Sequence, residues 1–313
     1  MTTTLDQPIA GTEHWTQKGE VRLFLWRKGA EQGIEATRGT ILFVHGSSMA
    51  SQPTFDLQVP GIPDASAMDV FVRQGYDCWC VDMEGYGRSS KHRAITCDIA
   101  NGADDLEAAS SHILSHNGGR KLLVYGISSG ALRAALFAAR HPERVARLVL
   151  DAFVWTGEGS PTLAERKKKL PGYIAGGLRR PIDRDFVRSI FTRDHPGTGD
   201  ERLVEAFADA ILSLDDSVPI GTYIDMCNHL PVLQPEQIRC PTLILRGEYD
   251  GIAGLPDLLA FFAKLPHPDK QFAVMQGISH ASLQQKNRAI MLHLLAAFFA
   301  QPAPLYPGSA PIA

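Results

Sequence analysis

From residue 40 onward the chain alternates between two hydrophobic patterns. The segments "TILFVHG" (40–46), "DCWCVD" (77–82), "KLLVYG" (121–126) and "VARLVLDAFV" (145–154) are short apolar runs rich in β-branched and aromatic residues, as strands buried on both faces require. Between them apolar residues recur at helical spacing in "ASAMDVFVRQGY" (65–76), "DDLEAASSHILSH" (104–116) and "SGALRAALFAARHP" (129–142), the last stopped by Pro142. Strand alternating with helix predicts an α/β fold whose central sheet is mostly parallel and carries helices on both faces. Upstream, "VRLFLW" (21–26) reads as an early strand, with "HWTQKG" (14–19) as its hairpin partner.

The pattern breaks between 156 and 237. This stretch is rich in Pro, Gly and charge, holds helical pieces such as "DERLVEAFADAILSL" (200–214), and shows no buried strand. Strand patterns resume in "CPTLILRGEYDG" (240–251) and "KQFAVMQGISH" (270–280), and "RAIMLHLLAAFFA" (288–300) reads as a closing helix. The expected organisation is a discontinuous core, 1–155 and 238–313, interrupted by an insertion at 156–237.

Composition narrows the partners. At 313 residues and 44% hydrophobic the chain can bury a large core, and a net charge of −3 without a long block of one sign points away from nucleic acid and anionic membranes. The strongest basic run, "ERKKKL" (165–170), reads as a solvated helix face. Five cysteines form no CxxC pair and no cluster at metal spacing, so neither a metal nor a cofactor is expected. The odd cysteine count and the start "MTTTLDQPIAG", which lacks a basic-then-apolar leader, lead us to expect a cytoplasmic protein. The longest apolar stretch, "LLAAFFA" (294–300), is far too short to span a bilayer.

The chemistry concentrates where strand 121–126 passes into the next helix through "GISSG" (126–130). A tight strand-to-helix turn crowds the positions two before and two after its tip, so both must be small. With Ser128 at the tip those positions are Gly126 and Gly130; with Ser129 they would be Ile127 and Ala131. Ser128 is therefore the candidate nucleophile, and the N–H of Ser129, at the helix start, can stabilise an oxyanion. A serine hydroxyl needs a base, and the base an orienting acid. Asp250 follows the strand "TLILRG" and His280 follows "QFAVM", both in loops after late strands. Glu248 and Asp151 are the rival acids; no other histidine follows a late core strand in this way.

These residues resemble those of the α/β-hydrolase-fold serine hydrolases. The resemblance covers about 20–155 and 238–300 and rests on "VHGSS" (44–48), "DMEGYGRSS" (82–90), "GISSG", and "RGEYDG" followed by "GISH". It implies a Ser128–His280–Asp250 triad, a second oxyanion N–H from Ser47, and a structural role for His45 in shaping that loop. It also implies that 156–237 is a cap roofing the site. Ser48, Met49, Trp155, Tyr173 and Tyr223 are then candidates for the substrate pocket. The activity expected is hydrolysis of an ester or related acyl bond of a small, uncharged molecule. Amidase, lactonase, thioesterase, carbon–carbon bond hydrolase and non-catalytic binding protein stay open, as does a homodimer.

Overall fold

The computed structural model describes residues 7–29 and 37–306. Its strands are β1 (Thr12–Lys18), β2 (Val21–Lys28), β3 (Gly39–Val44), β4 (Tyr76–Val81), β5 (Leu122–Ile127), β6 (Val145–Asp151), β9 (Thr242–Gly247) and β10 (Lys270–Met275), with the short β7 (Arg179–Pro181) and β8 (Ser217–Pro219) between. The first eight form one sheet in the order β1-β2-β4-β3-β5-β6-β9-β10, antiparallel at β1/β2 and β2/β4 and parallel elsewhere. β4 and β5 are buried at every residue, the burial expected of strands covered on both faces.

The helices are α1 (Ser51–Phe55), α2 (Ala67–Arg73), α3 (Ile99–His116), α4 (Ser129–Arg140), α5 (Pro161–Ala175), α6 (Arg184–Thr192), α7 (Glu201–Leu212), α8 (Gly221–Asn228), α9 (Leu255–Lys264) and α10 (Arg288–Phe299). Tyr76 and Trp79, three apart in β4, point to opposite faces because side chains alternate along a strand. Tyr76 meets Phe71 of α2 and Phe299 of α10, whereas Trp79 meets His112 and His116 of α3, so the sheet is covered on both sides. α3 begins at Ile99, five residues earlier than its apolar spacing indicates, because the Asp98 side chain accepts the Asn101 N–H and caps it.

The glycine-rich turn after β4 is explained by its contacts. A Cβ on Gly87 would lie 2.1 Å from Asp82 Oδ2, and that carboxylate accepts the Ser51 and Arg88 N–H groups. Ser89 accepts the Phe24 N–H and donates to the Asp82 carbonyl, tying the turn to β2.

Between β6 and β9 the chain forms α5 to α8 and an antiparallel ribbon of β7 and β8. The ribbon departs from the expectation of no buried strand, since Val218 and Pro219 are buried; three residues per strand are too few to leave a period in the sequence. This segment is anchored at its start. Asp257, in the first turn of α9, accepts the N–H groups of Trp155, Thr156 and Gly157.

Candidate active site

The loops after β3, β5, β9 and β10 converge at the carboxyl edge of the sheet. Ser128, at the end of β5, is held at φ 58°, ψ −127°, a conformation L-residues rarely adopt. The flanking glycines show why the turn tolerates nothing larger. A Cβ on Gly126 would sit 2.5 Å from the Gly130 carbonyl oxygen, and one on Gly130 would sit 2.3 Å from the Val44 carbonyl oxygen. The turn thus presses against the end of β3, where residues 45–49 lead off, and leaves Ser128 half-exposed between buried neighbours.

Ser128 Oγ lies 2.9 Å from His280 Nε2, and His280 Nδ1 lies 3.1 Å from Asp250 Oδ1. The same Asp250 oxygen accepts the Ile252 N–H at 2.9 Å. Burial alone would raise the Asp250 carboxyl, but the His280 ring, the Ile252 N–H and Arg246 outweigh it and hold it below the usual carboxylate range. A proton on Nδ1 is then accepted by an ionised carboxylate, which leaves Nε2 free to accept from the serine.

The rival acids are engaged elsewhere. Glu248 accepts the Gly277 N–H at 2.8 Å and is exposed. Asp151 is fully buried and accepts from the Tyr125 hydroxyl at 2.6 Å and from Ser282. Burial pushes its carboxyl up to about 6.

Ser47 and Ser129, the two oxyanion candidates, are joined by a 2.5 Å bond from Ser47 Oγ to Ser129 Oγ. His45 holds this loop from beneath. Its Nδ1 contacts the Gly46 carbonyl at 2.8 Å, and its Nε2 accepts the Met83 N–H at 3.0 Å, which makes Nδ1 the protonated nitrogen. Burial, reinforced by the nearby Arg133 charge, pushes the His45 ring down to about 3, so it stays neutral. Arg133, fully buried in α4, donates to the His45 carbonyl at 3.2 Å and lies 5.2 Å from the Tyr86 ring.

The segment 156–237 meets the site at two loops. Ser160 Oγ and Thr162 N, at the start of α5, both donate to the Gly251 carbonyl beside Asp250. Ser279 Oγ, beside His280, donates to the Phe191 carbonyl of α6. A cavity of about 550 Å³ opens between this segment and the sheet edge, with Ser48 and Gly251 on one side and Tyr173 and Tyr223 on the other. Ser48 Oγ and Tyr223 Oη are hydrogen-bonded at 2.5 Å.

Two pocket candidates do not line this cavity. Trp155 packs on Phe261, donates its indole N–H to the Leu233 carbonyl, and borders a separate cavity with Asp257. Met49 is buried in the hydrophobic core. The wall of the cavity carries four cationic side chains, Arg166, Lys169, Arg180 and Arg193. Arg166 had a legible signal: it falls on the same helical stripe as the buried Leu163 and Leu170 and as Tyr173, so it turns inward rather than to solvent.

Among the described residues, two trios bring potential metal-ligand atoms within 4.8 Å of one another. One is Asp194, Asp250 and His280, where both ring nitrogens of His280 already contact Asp250 and Ser128. The other is His14, His112 and His116, packed on Trp79 between β1 and α3. Their sequence separation hid this second trio, for His14 comes from a strand and the others from one helix.

A serine at strained dihedrals after the fifth strand, facing a histidine and an acid from the loops after the last two sheet strands, within a mostly parallel sheet, defines an α/β-hydrolase-fold serine hydrolase. The chain belongs to the family described as serine aminopeptidase, S33, whose model matches residues 35–287.

No curated protein matches the chain in sequence. Among solved structures it is similar to 2-hydroxy-6-oxo-6-phenylhexa-2,4-dienoate hydrolase from Rhodococcus sp. strain RHA1 (TM-score 0.65, 16% identity, covering 93% of this chain and 100% of that one). It is also similar to epoxide hydrolase VrEH1 from Vigna radiata (TM-score 0.66, 15% identity, covering 93% and 98%). A thermophilic esterase from Thermogutta terrifontis aligns as well (TM-score 0.60, 20% identity, covering 93% and 100%). At these identities the likeness is one of fold. No helix among the described residues is long and apolar enough to cross a membrane.

Proposed function

We propose that the chain hydrolyses an ester or related acyl bond through a covalent acyl-enzyme on Ser128. The observation that carries this reading is the strained Ser128, with its hydroxyl 2.9 Å from a ring nitrogen of His280 that is itself backed by ionised Asp250. His280 removes the proton as Ser128 Oγ attacks the acyl carbon, and Asp250 stabilises the imidazolium that forms. The N–H groups of Ser47 and Ser129 receive the negative charge on the tetrahedral oxygen. His280 then protonates the leaving group, and water, deprotonated by the same ring, releases the acid. Serine rather than aspartate at the turn separates this chemistry from the alkyl-enzyme route in which a carboxylate attacks. The segment 156–237 acts as a cap, excluding water and selecting what enters.

The family match favours amide cleavage after an amino-terminal residue as the second reading. An aminopeptidase must hold a protonated α-amine, and a cavity wall with four cationic side chains against Glu165 and Asp194 is poorly suited to that. Labelling with an uncharged fluorophosphonate tests the nucleophile. Wild-type protein should gain one adduct on Ser128 and Ser128→Ala none; an unlabelled wild type sinks the acyl-enzyme reading. Comparing p-nitrophenyl esters with aminoacyl p-nitroanilides separates the two bond types.

A further inference from the structure

We infer that the substrate carries an anionic oxygen group, a carboxylate or a phosphate, and that Arg166 and Arg180 receive it in the cavity beside Ser48. This rests on the acyl-enzyme reading for the reacting end of the substrate and adds the chemistry of its other end.

The inference starts from how the two guanidinium groups are satisfied. Arg180 lies 4.1 Å from the Phe186 ring, 4.6 Å from Tyr173 and 5.2 Å from Tyr223. Arg166 lies 5.0 Å from the Tyr223 ring, and its Nη1 donates to the Met226 sulfur at 3.7 Å. Ring faces and a thioether are weak partners for groups that each carry five N–H donors. Among the described residues neither arginine has a carboxylate within ion-pair distance, although both border the same cavity. Arg193 adds a third guanidinium, close enough that its charge, after the effect of burial, holds Arg166 below the ordinary arginine range. The two acids on the wall leave Arg166 and Arg180 without a carboxylate partner among the described residues. Glu165 is paired with Lys168, and Asp194 pairs with Arg193 at 3.5 Å while accepting from Thr162.

Apart from Arg166 Nη1 on the Met226 sulfur, aromatic faces fix the arginine forks without using their donors, so the remaining donors are pre-oriented for a ligand. A carboxylate or phosphate matches that fork with paired, charge-assisted bonds. The position is consistent with a substrate rather than a remote ligand. The cavity is bounded by Ser48, the neighbour of oxyanion candidate Ser47, and by Gly251, the neighbour of Asp250. Its volume suits a small molecule. A substrate with its acyl carbon at Ser128 therefore extends its charged end toward α5 and β7.

The test compares three p-nitrophenyl esters of equal chain length, ending in a carboxylate, a phosphate or a neutral amide. For the wild type we expect kcat/KM for one of the anionic esters to exceed that of the neutral ester at least 10-fold, with the ratio shrinking in high salt. Which anion leads identifies the group. Arg180→Met and Arg166→Met should each cut the ratio about 10-fold or more, the scale of one charge-assisted hydrogen bond. Arg180→Lys, which keeps the charge but loses the fork, should recover part of it. Lys167→Met, an exposed neighbour outside the cavity wall, should leave the ratio unchanged. Equal rates for charged and neutral esters in wild-type protein overturn the inference, and this comparison needs no variant to fold. Fluorophosphonate labelling separates the two ideas. Labelled protein without anion preference refutes only the anionic substrate, whereas absent labelling refutes the acyl-enzyme on which it rests.

Discussion

Replacing Asp250 by Asn probes the part of the site that the geometry defines most sharply. One oxygen of Asp250 accepts both the His280 Nδ1–H and the Ile252 N–H, while its other oxygen is buried with no hydrogen-bond partner among the described residues. An asparagine can put its carbonyl oxygen in the shared position and keep both bonds, so the ring need not turn and the tautomer is preserved. What disappears is the negative charge facing the imidazolium. With the bonded atoms 3.1 Å apart, the charge centres are about 4 Å apart, and at an effective dielectric constant of about 20 their attraction is ~4 kcal/mol. That corresponds to a loss of about 10³-fold in the step that protonates His280. The assay is the second-order rate of Ser128 phosphonylation by an uncharged fluorophosphonate, followed by intact mass. Glu248→Gln serves as the companion, since Glu248 is exposed and bonded to Gly277. A loss of less than about 10-fold in Asp250→Asn, or an equal loss in Glu248→Gln, would refute the assignment of the acid.

Three further outcomes are expected. Ser129→Ala keeps its backbone N–H and should retain substantial labelling of Ser128, losing only the 2.5 Å side-chain bond from Ser47; loss as complete as in Ser128→Ala would place the reactive hydroxyl at the wrong serine. Lys28 is buried between Asp56 at 2.6 Å and Asp69 at 2.7 Å, so Lys28→Met strands two buried carboxylates and should cost about 3–5 kcal/mol in urea unfolding. Burial raises the Asp151 carboxyl from the ordinary 3.8 to about 6, which favours its neutral form in the folded state by ~3 kcal/mol. That contribution is complete below about pH 3.8 and is lost as pH rises through about 6. Unfolding free energies of Asp151→Asn measured from pH 4 to 7 should therefore lack the decline this group imposes on the wild type; parallel profiles would refute it.

Much of this site could be read along the chain because its demands are local. The Gly126–Ser128–Gly130 spacing reflects two steric collisions within one turn and against the adjacent strand, so the identity of the tip follows from residue size. The alternation of buried strands and helices likewise reports covered faces, and Asp250 stands out because it follows such a strand. His280 follows β10, the edge strand, where Met275 alone is buried, so there the apolar run marks a strand without marking a covered one.

Tertiary structure decided the rest. Whether Asp250, Glu248 or Asp151 faces His280 depends on loop direction, which a spacing of two residues cannot encode. Trp155 and Tyr223 look alike in sequence, yet one packs on Phe261 and the other meets Ser48, because the path of the chain after β6 is set by Asp257, about a hundred residues away. The basic wall of the cavity assembles Arg166 from α5, Arg180 from β7 and Arg193 from the end of α6. Arg166 is marked in its own segment by the apolar stripe it shares with Leu163 and Leu170, Arg180 and Arg193 are not, and only the folding of 156–237 over the sheet edge turns all three toward one space. Charge is a sum over neighbours in three dimensions, and neighbours across that cavity are not neighbours in the chain.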